Sequence, residues 1–203
     1  MKQLAPQSPD WHIHLQKTIP VGAGLGGGSS NAATVIKFLN EQWELGLDEQ
    51  QLIRIAVKIG ADVAFYIHGK TQGAEGIGEQ LIPLKLPRQF TLLLICPAIH
   101  ISTKWAYQQF NLTKRKEGYK FHDVFESGKI QWSLFENQFE SVVFSTYPEI
   151  GNIKTLLIKE GAQYAGLSGS GSTVFGIFKN RNNAEHARKA FDRHTTFIST
   201  PIL

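Results

Sequence analysis

A chain of 203 residues can bury one substantial core or two small ones, and 42% hydrophobic with 19% charged residues is ordinary for a soluble globular protein. The longest apolar run, FTLLLICPAI at 90–99, is too short to span a bilayer and is interrupted by Pro97, and the first twenty residues lack the basic-then-apolar order of a secretory signal. The single cysteine, Cys96, excludes an internal disulfide and fits a reducing cytoplasm. The net charge of +4 is scattered rather than gathered into a basic stripe with aromatics, so neither nucleic acid nor a membrane is expected as a partner.

Along the chain, WHIHLQKTI alternates Trp11, Ile13 and Leu15 with His12, His14 and Gln16, the period of a half-buried strand. The glycine run GAGLGGGSS follows Pro20 directly. A helix is predicted from Ser29 or Ser30 to about Trp43, with Ala32, Ala33, Ile36, Leu39 and Trp43 near a 3.6 period and a serine as cap. LDEQQLIRIAVKIG predicts a second helix, opened by an Asp48–Gln51 capping box and closed by a left-handed Gly60. ADVAFYIHG reads as a turn into a short apolar strand. PLKLPRQF carries two prolines and no periodicity, which places a boundary near residue 87, between a domain at 1–87 and another at 88–203.

Beyond it, FTLLLICP predicts a buried strand and TKWAYQQF a short helix, and 111–133 is polar and weakly patterned, read as a loop or lobe. Helices are predicted at 134–146 and 148–160, the latter started by Pro148 and stopped by Gly161. AQYAGLS and TVFGIF are strands joined by glycine and serine, NAEHARKAFDRH is a helix and TFISTPIL a last strand. This β-α-β-β-α-β order is that of a ferredoxin-like unit.

The glycine run has two readings. A flexible linker predicts polar, unpatterned flanks, whereas here a strand pattern precedes and an amphipathic helix follows. A strand–glycine–helix junction aims free N–H groups and a helix dipole at one point, which suits phosphate. GAGLGG satisfies G-x-G-x-x-G, but no acidic strand end follows about twenty residues on. The P-loop pattern fails because Gly28 stands where its lysine belongs, and the protein-kinase motifs are absent. What is left is a loop that binds phosphate through backbone and serine hydroxyls.

PVGAGLGGGSSNAA resembles the second signature of the GHMP small-molecule kinases, GADVAFYIHG followed by AEGIGE resembles their aspartate segment, and LSGSGSTVFGIF resembles their third signature. Together they cover most of the chain. The resemblance implies an α+β, two-lobed GHMP-kinase-like fold, with an incomplete N-terminal ribosomal-protein-S5-like domain, a C-terminal ferredoxin-like αβ domain and the active site between the lobes. It implies ATP and Mg²⁺ as cofactors and phosphoryl transfer to an alcohol. The three-glycine form and AEGIGE point to the member that acts on a small cytidine diphosphate-linked substrate in isoprenoid precursor synthesis. The alternatives are another member of the family, of homoserine or mevalonate type, and a nucleotide-binding fragment without activity.

Carried over residue by residue, the resemblance makes Asp62 the catalytic group, orienting or deprotonating the acceptor hydroxyl; without it Asp62 is a turn residue after Gly60. The ATP loop comprises Pro20, Val21, Gly22, Ala23, Gly24, Leu25, Gly26, Gly27, Gly28, Ser29 and Ser30. Ser29 or Ser30 is the candidate magnesium ligand, although N-capping alone explains either. Gly73, Ala74, Thr103, Ser168, Gly169, Ser170 and Gly171 fall on the substrate or phosphate side, while SGSGS also reads simply as a hairpin connection. The family's opening lysine segment, P-A-K-[LIV]-N, and its G-Y-H stretch have no counterpart ahead of the loop, so the N-terminal domain is expected to be incomplete.

His12 and His14 form an H-x-H pair without a third ligand and read as solvated positions, and His68, His100, His122, His186 and His194 receive no role. Trp105, Tyr107 and Phe110 lie at helical spacing and read as core or lobe packing, and Tyr164 and Phe175 are expected to fill the C-terminal core. Cys96 reads as a small buried hydrophobe.

Overall fold

The computed structural model describes residues 1–5, 9–75, 80–84, 90–109 and 130–201. The boundary expected near residue 87, the GIGE part of AEGIGE, Phe110, His122 and most of the polar stretch 111–133 lie outside these residues. The chain divides into two compact units. The first comprises Met1–Val21 and Gly26–Leu84, the second Gly22–Leu25 and Lys85–Leu203, so the glycine run is shared between them.

The first unit is built on three helices: α1 (Gly27–Gln42), α2 (Glu49–Val57) and α3 (Ala61–His68). Ala33 and Ile36 of α1 meet Leu52 and Ala56 of α2 and Val63, Ala64 and Ile67 of α3 in one buried cluster. The capping box at α2 is present as expected: Asp48 accepts from Gln51 N at 2.8 Å, and Gln51 accepts from Asp48 N at 2.8 Å. A short antiparallel hairpin, β1 (Gln72–Glu75) with β2 (Gln80–Pro83), completes the unit.

Four local expectations are corrected here. α1 starts two residues before Ser29, with a left-handed Gly26 as N-cap and no side-chain cap, because successive glycines can begin the helix without a serine. ADVAFYIHG is a helix rather than a strand: Val63, Ala64 and Ile67 fall on one helical face, which the core of α1 and α2 buries. Gly60 is not left-handed; its φ of 173° is extended, and it serves as N-cap of α3. Residues 11–19 form no strand, because strands exist only by pairing and these pair with nothing among the described residues. Trp11, Ile13 and Leu15 are 45%, 52% and 55% exposed, and the intervening His12 and His14 are exposed as well, so the alternation separates no inner face from an outer one.

The second unit contains a four-stranded antiparallel sheet of β3 (Thr91–Cys96), β4 (Tyr164–Leu167), β5 (Val174–Phe178) and β6 (Thr195–Ser199), in spatial order β4-β5-β3-β6. With α4 (Thr103–Gln108), α5 (Phe139–Thr146), α6 (Pro148–Lys159) and α7 (Arg181–Arg188), this is the ferredoxin-like order read from the sequence. Leu93 and Ile95 of β3 and Val174 and Phe178 of β5 pack with Ile150 and Leu157 of α6 and Ala184 of α7 in one core. Pro148 opens α6 and Gly161 follows it with φ of 92°, as expected.

Trp105 packs edge-on against Tyr147, at 5.8 Å between centroids. Tyr164 and Phe175 lie only half-buried, beside each other at 5.9 Å, rather than in the central core. Among the described residues no helix is long and apolar enough to cross a membrane.

Candidate nucleotide and acceptor site

The glycine run is not a slack tether. Gly22, Gly24 and Gly26 all have positive φ, at 69°, 75° and 62°, so alternate residues take a conformation that L side chains resist. In the second unit, Gly24 lies against the SGSGS turn. A Cβ there would collide with the Ser168 carbonyl oxygen and stand 2.8 Å from that of Gly171. The Ser168 hydroxyl donates to Gly24 O at 2.8 Å, and Thr173 N donates to Ala23 O at 3.1 Å. The third-signature turn therefore grips the first half of the glycine run and is also the β4–β5 hairpin connection. Its own shape rests on left-handed Gly169 and Gly171 and a Gly171 N to Ser168 O bond of 2.9 Å.

Thr103 joins this group. Its hydroxyl lies 3.1 Å from the Ser170 hydroxyl, and α4 is positioned for this by a Ser102 cap that accepts from Trp105 N at 3.3 Å. Ser172, fully buried, donates to Ile99 O at 2.6 Å and so ties the turn to the segment after β3. His100, on that segment, lies along Gly22: a Cβ there would come within 2.6 Å of the ring.

In the first unit, Gly26 is closed over by Tyr66, whose ring would stand 2.9 Å from a Cβ on that glycine. Tyr66 is one helical turn beyond Asp62 on α3, so the helix carrying the predicted catalytic aspartate also packs on the start of α1. Burial first, and the Asp62 charge second, push the Tyr66 phenol pKa upward. Asp62 itself is exposed in the first turn of α3, where the helix dipole favours a carboxylate. Gly28 has nothing within 4 Å of its would-be Cβ, and the Lys17 ammonium lies 3.4 Å from that of Gly27. The opening turn of α1 thus presents bare backbone with a cation beside it.

Ser30 is partly committed, donating to Gly27 O at 3.1 Å, whereas among the described residues no side-chain bond engages Ser29. Among the described residues no cluster of three or more His, Cys, Asp or Glu could hold a metal by itself. Gly73 and Ala74 sit on β1, paired with Ile82 and Leu81. Cys96 is buried and accepts from the Thr173 hydroxyl at 3.4 Å; burial pushes its thiol pKa up, which suits a packing role and not a nucleophile.

Sequence reasoning passed over four residues here. Tyr66 was legible only once ADVAFYIHG became a helix, which puts it at i+4 from Asp62. Lys17 was a basic residue three positions before Pro20. His100 had no pattern around it. Asn137, two positions before α5, donates to Gly169 O of the turn at 2.7 Å and carried only the weak signal of a helix-start side chain.

The profile of the GHMP kinases N-terminal domain matches residues 1–70, and that of the GHMP kinases C-terminal domain matches residues 127–195. The chain is 46% identical over 188 residues to a 4-diphosphocytidyl-2-C-methyl-D-erythritol kinase of Pelobacter propionicus, covering 93% of this chain and 67% of the relative. It is 43% identical over 189 residues to the enzyme of the same name from Thermodesulfovibrio yellowstonii, covering 89% and 66%. A crystal structure of 4-(cytidine 5'-diphospho)-2C-methyl-D-erythritol kinase superposes with a TM-score of 0.74 at 30% identity, over 91% of this chain and 68% of that one. The chain therefore spans about two thirds of the length of these proteins. With both domain profiles matched in order, over residues 1–70 and 127–195, the chain belongs to the GHMP kinase family.

Proposed function

We propose that this chain carries the phosphoryl-transfer machinery of a small-molecule kinase that moves the γ-phosphoryl group of ATP to the 2-hydroxyl of 4-diphosphocytidyl-2-C-methyl-D-erythritol. The observation that carries the reading is the glycine run, with its alternating left-handed glycines and bare α1 start, inside a chain 46% identical to a kinase of that name. Residues 20–30 bind the ATP phosphates, with main-chain N–H groups and the α1 dipole facing the anion and Lys17 adding charge. Gly73, Ala74, Thr103, Ser168, Gly169, Ser170 and Gly171 are assigned to the substrate or phosphate side.

In the reaction, the acceptor oxygen attacks the γ-phosphorus, the bond from that phosphorus to the oxygen it shares with the β-phosphate breaks, and ADP leaves. The acceptor proton passes to the Asp62 carboxylate, which also orients the hydroxyl. Mg²⁺ would travel with the phosphate oxygens, neutralising charge on them, with the uncommitted Ser29 hydroxyl as its protein ligand. This fits a protein that offers no carboxylate cage of its own among the described residues. The domain limits we assign are 1–87 and 88–203, and the free, buried Cys96 supports a cytoplasmic location.

The test is a panel in which the chain, ATP and Mg²⁺ are offered the diphosphocytidyl substrate, homoserine and mevalonate under identical conditions. Phosphorylation of the first alone supports the reading. Transfer to mevalonate or homoserine removes the substrate assignment, and ATP binding without transfer to any acceptor favours a nucleotide-binding module.

A further inference from the structure

Among the described residues β4 is an edge strand, and Leu167 ends it in register with Val174 of β5. The next residue, Ser168, bonds across to Thr173 O at 2.9 Å, so in an antiparallel ladder the N–H and C=O of Leu167 face away from β5. Edge groups of this kind ordinarily go to water or invite another strand. Here two side chains at the start of α5 take both. Glu140 Oε1 accepts from Leu167 N at 2.9 Å, and Asn137 Nδ2 donates to Leu167 O at 2.8 Å.

Asn137 does more than close an edge. The same Nδ2 also donates to Gly169 O at 2.7 Å, so one amide group bridges the last residue of β4 and the left-handed residue of the SGSGS turn. Its Oδ1 accepts from Phe139 N at 2.9 Å, which fixes the amide's orientation and leaves the NH₂ pointing at the two carbonyls. Glu140 is anchored in turn by Lys154, whose ammonium donates to Oε2 at 2.6 Å, with the Glu140 side chain only 17% exposed. The residue between the two gripped carbonyls is Ser168, whose hydroxyl holds Gly24.

We propose that Asn137, acting beside the Glu140–Lys154 pair that holds Leu167 N, is a positioning residue for the phosphate loop. It sets the Leu167–Ser168 and Gly169–Ser170 peptides that flank Ser168, and through Ser168 it sets the Ala23–Gly24 segment that faces the nucleotide. The consequence for ATP rests on the function proposed above; the mechanical coupling does not. The side chain acts at two removes from the ligand and touches no reacting atom.

Two substitutions separate this role from simple support of a helix start. Asn137→Ala removes all three bonds. Asn137→Asp keeps the acceptor for Phe139 N but replaces the NH₂ with an oxygen that repels Leu167 O and Gly169 O. Tyr164→Phe, which deletes a 2.8 Å bond from the same strand to Phe135 O, is the control for general loosening of this edge. Each variant of the full chain is measured for amide exchange at Ala23, Gly24 and Leu25 without ligand, for ATP affinity by titration, and for thermal stability.

In both Asn137 variants, exchange at residues 23–25 should quicken and ATP should bind roughly tenfold more weakly, the size of one lost hydrogen bond. Tyr164→Phe should lose stability with neither change. If Asn137→Asp behaves as wild type in exchange and affinity while Asn137→Ala does not, the side chain only supports α5 and the proposal fails. It fails equally if Tyr164→Phe moves residues 23–25 as far. A wild-type chain that binds no ATP would remove the nucleotide reading, and the exchange measurement would still decide whether Asn137 sets the loop.

Discussion

The Ser168 hydroxyl donates to the Gly24 carbonyl at 2.8 Å across 144 positions of sequence, which ties the first half of the glycine run to the turn between β4 and β5. Two variants test how firmly. Ser168→Ala removes one hydrogen bond to a partly buried acceptor and should cost about 1 kcal/mol of stability, with a severalfold weaker grip on ATP. Gly24→Ala places a methyl group against the Ser168 and Gly171 carbonyls at a φ of 75°, where neither backbone can give way cheaply. It should be the more severe change, weakening ATP at least a hundredfold in a titration. Equal effects from the two would mean that the turn does not constrain the loop.

Gly28 makes the opposite prediction. It lies in the first turn of α1, is exposed, and has nothing within 4 Å of a would-be Cβ. For the fold alone, Gly28→Ala should be harmless or stabilising by up to about 1 kcal/mol, because glycine is a poor helix residue. If the ATP phosphates rest on this backbone, the same methyl group intrudes on them. We expect higher stability by urea unfolding together with ATP affinity reduced tenfold or more. A variant that gains stability and keeps its affinity would move the phosphates away from Gly28.

How much of this was legible depends on which force fixes each element. The second unit was read well because its signals are local: Pro148 starts α6, Gly161 stops it, and the short apolar runs of β4 and β5 bracket an obvious glycine–serine turn. The capping box at Asp48 was legible for the same reason. ADVAFYIHG was misread because a run of nine with apolar Val63, Ala64, Phe65 and Ile67 fits either period, and burial against α1 and α2 decided it. WHIHLQKTI was misread because alternation specifies a face but supplies no partner strand. At the site, the glycines could be named from sequence, but not what they touch: Ser168, Tyr66 and His100 reach them through tertiary contacts that no spacing encodes.

Tyr164 offers a test by pH. Its hydroxyl donates to Phe135 O at 2.8 Å, and burial first, then the Glu140 and Glu136 charges, push its pKa up to about 12. The unfolded chain titrates this phenol near about 10. The folded state therefore favours the neutral phenol, a contribution fully present below about pH 10 and lost as pH rises through about 12. Tyr164→Phe should be the less stable protein at pH 8, and the gap from wild type should shrink between pH 10 and 12 in urea unfolding. Ultraviolet titration of folded wild type against the variant should show the missing phenolate appearing near 12; its appearance near 10 would mean the phenol is not held as described.

Asp62 is where the proposed chemistry is most exposed to failure. It stands in the first turn of α3 with no side-chain cap at that helix end, so its fold role is limited to a favourable position at the helix dipole, worth about 0.3–1 kcal/mol. Asp62→Asn keeps shape and polarity, removes the charge and removes the base. Stability should therefore change by less than about 1 kcal/mol, and ATP affinity by less than about threefold, since in the proposed site the glycine run and not Asp62 holds the phosphates. Turnover should fall by about 10²–10⁴ if Asp62 takes the acceptor proton. Tyr66→Phe, which leaves the carboxylate in place one turn away, should cost far less turnover than Asp62→Asn. A chain whose rate survives Asp62→Asn uses another group as its base, and a chain that loses ATP affinity with the rate would make Asp62 a part of the nucleotide site instead.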